Sequence, residues 1–217
     1  MCIIFDLDDT LITTTRDLIH SRFLRISKLV ESQSAFSSIY PILLQYNKLY
    51  KSSKDALKKF FESYPHLRNF QKSAYAILEQ DLLSDENIHM MKGADKLLLQ
   101  LRNEYELYIV SYGKKRFQFQ KMKKAGVDTS LFIKIEITEN PNKLEAYQTI
   151  LKNKHVASEC IAVGDRMRDL FPANALGMKT IHIRQGRGEF EKCEDFVDFS
   201  IDSIEELCDC LKNIKKG

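Results

Sequence analysis

Short apolar runs bounded by turn residues recur along the chain: Cys2 to Phe5, Leu107 to Val110, Leu131 to Ile137, Cys160 to Val163 and Thr180 to Ile183. Runs of this length with few polar positions predict strands buried on both faces. Between the later runs lie helix-length segments, Arg116 to Ala125, Lys143 to Leu151 and Asp169 to Leu176. Strands alternating with helices predict βαβ units, hence an α/β fold whose mostly parallel sheet carries helices on both faces. The tail from Ser203 to Ile214 predicts a closing amphipathic helix. Ser203 with Glu206 forms a capping box at its start, and Lys215 and Lys216 suit its C-terminal end.

The rhythm breaks once. About 100 residues separate Phe5 from Leu107, where a strand-to-helix connection usually takes only a few. Gly93 to Leu101 reads as the crossover helix that returns to the sheet. The remainder has apolar residues at helical spacing, with strong breakers at Pro41 and Pro65. It predicts an all-helical cap, residues 14–87, inserted after the first strand into a core made of residues 1–13 and 88–217. From Lys28 to Lys72 this insert holds eight basic residues against three acidic ones, and it is rich in Phe and Tyr. The expectation is that the rings fill a small helical core while the lysines solvate its outside. The alternative is a ring-and-cation surface facing an anionic ligand.

The net charge of +3 over 217 residues excludes a histone-like coat on nucleic acid, and no nucleic-acid module is visible. No stretch approaches the roughly 18 uninterrupted apolar residues of a membrane span. The opening Met1 to Asp6 lacks the basic region and cleavage site of a secretory signal, which predicts a cytoplasmic protein. Five scattered cysteines, an odd number, argue against a disulfide framework and fit a reducing compartment. Cys208 and Cys210 lack a second Cys or His pair at zinc-site spacing.

Candidate chemistry gathers at strand ends. Asp6-Leu7-Asp8-Asp9-Thr10 follows the first run, and residues two apart in extended chain share a face, so Asp6 and Asp8 can converge. Gly164 and Asp165 close the Cys160 to Val163 run, with Asp169 one helical turn further on. The crevice beyond the carboxyl ends of parallel strands is the usual ligand site. Several carboxylates meeting there repel one another without a cation, and a hard divalent ion such as Mg²⁺ is the natural partner. Taken singly, each group has a plainer reading: an acidic turn for Asp8 and Asp9, a helix N-terminal acid for Asp169, a cap serine for Ser111 after Val110. Lys143 opens a helix, where the dipole disfavours a cation, so an anionic partner is expected for it rather than for the solvated Lys134 and Lys152.

Taken together, Phe5-Asp6-Leu7-Asp8-Asp9-Thr10-Leu11, Val110-Ser111, Lys143, and Val163-Gly164-Asp165 with Asp169 resemble the four ordered motifs of the haloacid-dehalogenase-like (HAD) hydrolase superfamily. Ala173 to Thr180 is similar to the helix and strand that follow the fourth motif. The insert's position resembles the helical C1-type cap of the phosphatase branch, and the resemblance implies a Rossmann-like core. It further implies that Asp6 attacks phosphorus to form an aspartyl-phosphate, and that Asp8 protonates the leaving group and then activates water. Mg²⁺ would be held by Asp6, the Asp8 carbonyl and Asp165, with Asp169 ligating through water or orienting the shell. Ser111 and Lys143 would bind the phosphoryl oxygens, Thr10 would brace the loop, and backbone amides after Asp6 would cradle phosphate.

An acid at position 8 favours phosphomonoester hydrolysis over halide displacement, because a halide leaves without a proton. The pattern is unlike the D-K-T-G-T of transport ATPases. Two departures bear on pocket shape: Tyr112-Gly113 follows Ser111, and Leu144 follows Lys143 where Pro is frequent. The implied substrate is a small phosphorylated metabolite, a nucleoside monophosphate or a sugar or glycolate phosphate. Two rivals are a HAD-like binding protein with little turnover that engages a partner through its cap, and a phosphate-receiver domain. Arg166 and Arg168 are expected to be solvated or ion-paired within their loop, Gly186-Arg187-Gly188 to form a turn, and the histidines to carry no role. The oligomeric state is not set by these features.

Overall fold

A computed structural model describes residues 1–152 and 155–214. It divides into two compact units, Met1–Thr14 with Asn87–Gly217, and Thr15–Glu86. Lys215 and Lys216 lie outside the described residues.

The first unit is built on six parallel strands: β1 (Cys2–Phe5), β2 (Glu106–Tyr112), β3 (Lys134–Thr138), β4 (Cys160–Gly164), β5 (Lys179–Ile183) and β6 (Phe199–Ile201). Their order is β3-β2-β1-β4-β5-β6, all neighbours parallel. The sequence order reverses at β1, so the crevice between the C-terminal ends of β1 and β4 is the topological switch point of the sheet. Cys2, Ile4, Tyr108, Val110, Cys160 and Ala162 pack with Ala146, Tyr147, Ile150, Leu170 and Ala173. The alternating residues Ile3, Phe5, Leu107 and Ile109 are equally buried, as a sheet covered on both faces requires. Each such side chain contributes about 1.5–3 kcal/mol, which is why short strands suffice here.

The predicted elements are present with shifted ends. The run from Leu131 is interrupted: Thr129–Leu131 is a 3₁₀ turn capped by Asp128, and the strand begins only at Lys134. β6 has three residues and no apolar run, and pattern alone does not find it. At the C-terminus Ser203 caps the amide of Glu205 rather than that of Glu206, because a 3₁₀ turn, Ile204–Glu206, precedes the helix Leu207–Ile214.

One pairing goes beyond the sequence reading. Cys2 and Cys160 face each other in register at the starts of β1 and β4, with Cα atoms 4.7 Å apart, and form a disulfide. An odd cysteine count argues against a framework of several bridges, but it cannot exclude one pair that strand register brings together. Cys193, Cys208 and Cys210 are free.

The second unit holds four helices: α1 (His20–Glu31), α2 (Ile39–Leu49), α3 (Ser53–Ser63) and α4 (Gln71–Glu79). α3 shows why they form. Ser52 accepts from the Asp55 amide as N-cap, and Ala56, Leu57, Phe60 and Phe61 make its buried stripe. Phe23, Phe60, Phe61 and Phe70 belong to the core, while all eight basic residues from Lys28 to Lys72 are exposed. Those four rings fill the interior, while Phe36, Tyr40, Tyr46, Tyr50, Tyr64 and Tyr75 are half-buried. Arg22 and Glu86, almost wholly buried, form a two-pronged ion pair with both N···O distances at 2.9 Å. The remaining helices belong to the first unit: α5 (Ala94–Leu101), α6 (Lys115–Ala125), α7 (Leu144–Leu151), α8 (Met167–Ala175) and α9 (Leu207–Ile214).

Candidate active site

The Asp6 amide donates to the Val163 carbonyl at 2.8 Å, which carries the β1–β4 pairing one step past Phe5 and sets Asp6 at the switch point. The chain then turns sharply through Asp9, whose φ of 57° lies in the left-handed region. Asp is among the few side chains that accept this conformation readily. Asp165 follows β4 and Asp169 lies in the first turn of α8. One carboxylate oxygen from each of Asp6, Asp165 and Asp169 lies within 4.8 Å of the others, and all three side chains are buried.

Lys143 enters this cluster from the start of α7, where the Asn142 side chain caps the Leu144 amide. Its ammonium, 1% exposed, contacts Asp6 directly and sits 3.0 Å from Asp169 Oδ1. Its competitors behave as surface residues, Lys134 pairing with Glu136 and Lys152 being exposed. One ammonium does not balance three carboxylates. Burial, opposed by Lys143 and aided by Asp169 and Asp8, pushes the Asp6 pKa up to about 7. Burial and then Asp9, Asp6 and Asp169 push Asp165 well above the usual carboxylate range. Burial disfavours the Lys143 charge, but Asp169 and Asp6 outweigh it and hold its pKa above normal. An all-oxygen donor set carrying surplus negative charge is what a hard divalent cation satisfies.

Asp8 is held differently. Thr14 Oγ1 and Lys121 Nζ both donate to its Oδ1, and Gln118 Nε2 donates to its Oδ2 at 2.9 Å. Burial raises its pKa, but Lys121, Thr14 and Gln118 together bring it below the ordinary value. Asp6 and Asp8, two residues apart, thus have pKa values displaced in opposite directions. Gln118 also donates to Ser111 Oγ at 2.5 Å and to the Tyr112 carbonyl at 2.9 Å. Thr10 is fully buried and its hydroxyl finds no partner among the described residues; Thr14, not Thr10, touches Asp8.

The loops after β4 and β5 close the cluster's flank. His182, fully buried on β5, places Nε2 2.8 Å from the Asp165 carbonyl. A Cβ at Gly188 would stand 1.7 Å from that same carbonyl oxygen, and one at Gly186 (φ 56°) would stand 2.4 Å from the Asp9 side chain. The Gly-Arg-Gly segment is therefore a turn packed on the acidic loop. Arg166 pairs with Glu191, and Arg168 lies over the Tyr112 ring and 3.9 Å from Asp169.

The structure brings Asp6, Asp165, Asp169 and Lys143 into one cluster, with Asp8 and Ser111 joined beside it through Gln118. Sequence reading missed Thr14, Gln118, Lys121 and His182. A signal existed for three of them: Gln118, Lys121 and Met122 share the buried stripe of α6, and polar residues on such a stripe demand a reason. His182 stands likewise as the one ring nitrogen donor in an otherwise apolar strand end.

Residues 3–183 match the family described as haloacid dehalogenase-like hydrolase. The chain belongs to that family, as a phosphatase. Over 226 residues it is 26% identical to a glyceraldehyde 3-phosphate phosphatase of Pyrococcus abyssi, covering 98% of this chain and 93% of that one. It is 41% identical over 61 residues to the same-named protein of Methanocaldococcus jannaschii, 28% of this chain and 27% of that one. Its fold is similar to that of a HAD-hydrolase of Bacillus subtilis solved with magnesium bound, at 17% identity, 97% of each chain and a TM-score of 0.67. It is similar too to a predicted phosphoglycolate phosphatase of Haemophilus somnus, at 16% identity, 97% of each chain and a TM-score of 0.68. No helix among the described residues is long and apolar enough to cross a membrane.

Proposed function

We propose that the chain hydrolyses a small phosphorylated metabolite with Mg²⁺ as cofactor, and that glyceraldehyde 3-phosphate or a similarly short phosphate ester is its substrate. The buried cluster of Asp6, Asp165 and Asp169 around Lys143, with Asp8 beside it, carries the reading of the reaction. The names of the full-length relatives support the substrate class. Asp6, Asp165, Asp169 and the Asp8 carbonyl would hold the ion, which supplies charge neutralisation for an anionic substrate.

Asp6 is the nucleophile. Its carboxylate forms a bond to phosphorus as the ester oxygen leaves, and Asp8, which Lys121, Thr14 and Gln118 hold ionised in the resting site, takes up a proton from solvent on substrate binding and gives it to that oxygen. Asp8 then takes a proton from the water that attacks the aspartyl-phosphate, releasing inorganic phosphate and restoring Asp6. Ser111 and Lys143 bind phosphoryl oxygens and offset their charge in the transition state. The amides of Asp9, Thr10, Leu11 and Ile12 are bonded within the turn, to Ile12 and Leu7 carbonyls, so those of Leu7 and Asp8 are the ones assigned to phosphate. Thr10 acts through packing rather than through its hydroxyl. Residues Thr15–Glu86 serve as the cap, and a cytoplasmic location follows from the class of substrate.

The test is phosphate release from glyceraldehyde 3-phosphate, phosphoglycolate and AMP, with Mg²⁺ or with EDTA. Release that needs Mg²⁺ and vanishes in Asp6→Asn is expected, fastest with the short-chain esters. Full activity in EDTA or in Asp6→Asn overturns the mechanism, and preference for AMP overturns the substrate class.

A further inference from the structure

α6 carries two polar side chains where a helix normally packs apolar ones: Gln118, 1% exposed, and Lys121, 3% exposed. A buried ammonium is costly unless a partner compensates it, and leucine at either place would pack at no such cost. Both side chains are directed to the same neighbours. Lys121 and Thr14 hold Asp8 Oδ1, and Gln118 holds Asp8 Oδ2. The same Gln118 nitrogen serves Ser111 Oγ and the Tyr112 carbonyl, so two N–H bonds face three acceptors. Gly113 makes room for this: its φ is 147°, and a Cβ there would stand 3.3 Å from Gln118 Cδ.

We propose that Gln118 and Lys121 are positioning residues for the reaction: α6 fixes the Asp8 carboxylate and, through Gln118, sets it against the phosphoryl-binding hydroxyl of Ser111. The proposal rests on the phosphatase reading above. The step it serves is the breaking of the ester O–P bond, in which a proton taken up by Asp8 from solvent passes to the departing oxygen while Asp6 bonds to phosphorus. An alkoxide needs that proton and a nitrophenolate does not. Misplacing Asp8 should therefore slow one class of ester and spare the other, whereas a merely structural role for α6 slows both alike.

The experiment compares the burst of alcohol or phenol release from an alkyl phosphate, glycerol phosphate, and from p-nitrophenyl phosphate, in wild type, Lys121→Met and Gln118→Leu. Orientation errors of this kind cost about 10²-fold, so the alkyl ester should slow by that order and the nitrophenyl ester by only a few-fold. Equal slowing of both esters overturns the proposal. Crystal structures of the two variants provide a readout that needs no turnover. The Asp8 side chain is expected to leave its present rotamer in Lys121→Met, and the Ser111 hydroxyl to lose its tie to Asp8 in Gln118→Leu. Asp8 in the wild-type rotamer in both variants also overturns the proposal. If wild type turns over neither ester, the phosphatase reading falls, and the crystal structures still decide whether α6 sets Asp8.

Discussion

Replacing Lys143 by Met tests the electrostatics of the cluster most directly. The substitution keeps a long flexible side chain and removes the one ammonium in contact with Asp6 and 3.0 Å from Asp169. Removing one partner from a buried, hydrogen-bonded ion pair typically costs about 3–5 kcal/mol, because the charges left behind have neither solvent nor partner. Against a total stability of about 5–15 kcal/mol, that loss leaves the metal-free variant marginal. In urea, with a slope of about 2 kcal/mol per molar, the unfolding midpoint in EDTA should fall by about 2 M. Saturating Mg²⁺ should recover much of the difference, since the ion returns positive charge to the same carboxylates. Adding Asp169→Asn to Lys143→Met should restore about 1–3 kcal/mol, the signature of coupled neighbours. A Lys143→Met variant as stable as wild type in EDTA, or additive with Asp169→Asn, refutes the account of three carboxylates held together by one ammonium that only partly offsets their charge.

Other consequences can be checked more briefly. The Asp6 pKa, raised from 3.8 to about 7, means that the native state binds more protons than the unfolded state across that window. Metal-free stability should therefore fall as pH rises from about 4 to about 7, and stabilisation by Mg²⁺ should grow over the same range. Thermal melts with and without EDTA measure both, and Asp6→Asn should flatten the slope. Gly188→Ala places a methyl carbon 1.7 Å from the Asp165 carbonyl oxygen, and is expected to cost about 3 kcal/mol or more in urea and to weaken Mg²⁺ binding by calorimetry. Arg22→Leu removes the two-pronged partner of Glu86, leaving it the Leu83 amide and Arg25 at 3.5 Å, and should cost about 3 kcal/mol, with Glu86→Leu added in the double variant recovering part of it. Reduction of the Cys2–Cys160 bridge, which spans 158 residues of sequence, should lower the urea midpoint by an amount worth about 2–5 kcal/mol.

The parts of this molecule legible in sequence are those with a short-range signature. Strands buried on both faces announce themselves as apolar runs, and Asp6, Asp8, Asp165 and Asp169 stand where such runs stop. Lys143 was separable from Lys134 and Lys152 because a cation at a helix start asks for an anion, and Asp6 and Asp169 supply it. What escaped depends on partners far along the chain. β6 owes its place to hydrogen bonding with β5 rather than to its own three residues. The bridge joins cysteines that only strand register brings together, and His182 meets Asp165 only because β5 lies beside β4. Thr14 is an ordinary polar residue until the turn after β1 is known.

The place of β1 in the sheet also bears on how the chain assembles. Its two hydrogen-bonding neighbours follow it at a distance, Cys2 pairing with Glu106 on one side and with Cys160 on the other. Closing such long loops is slow compared with forming local helices. During synthesis the segment Thr15–Glu86, with its own core, can fold while β1 still waits with both edges bare. Once β4 arrives, the central strand is sealed, the bridge can form, and the acidic loop after Phe5 meets Asp165 for the first time. A ribosome stalled before Glu106 should thus hold a protease-resistant insert and an unprotected amino-terminal strand; protection of that strand should begin as β2 emerges and be complete only when β4 has emerged.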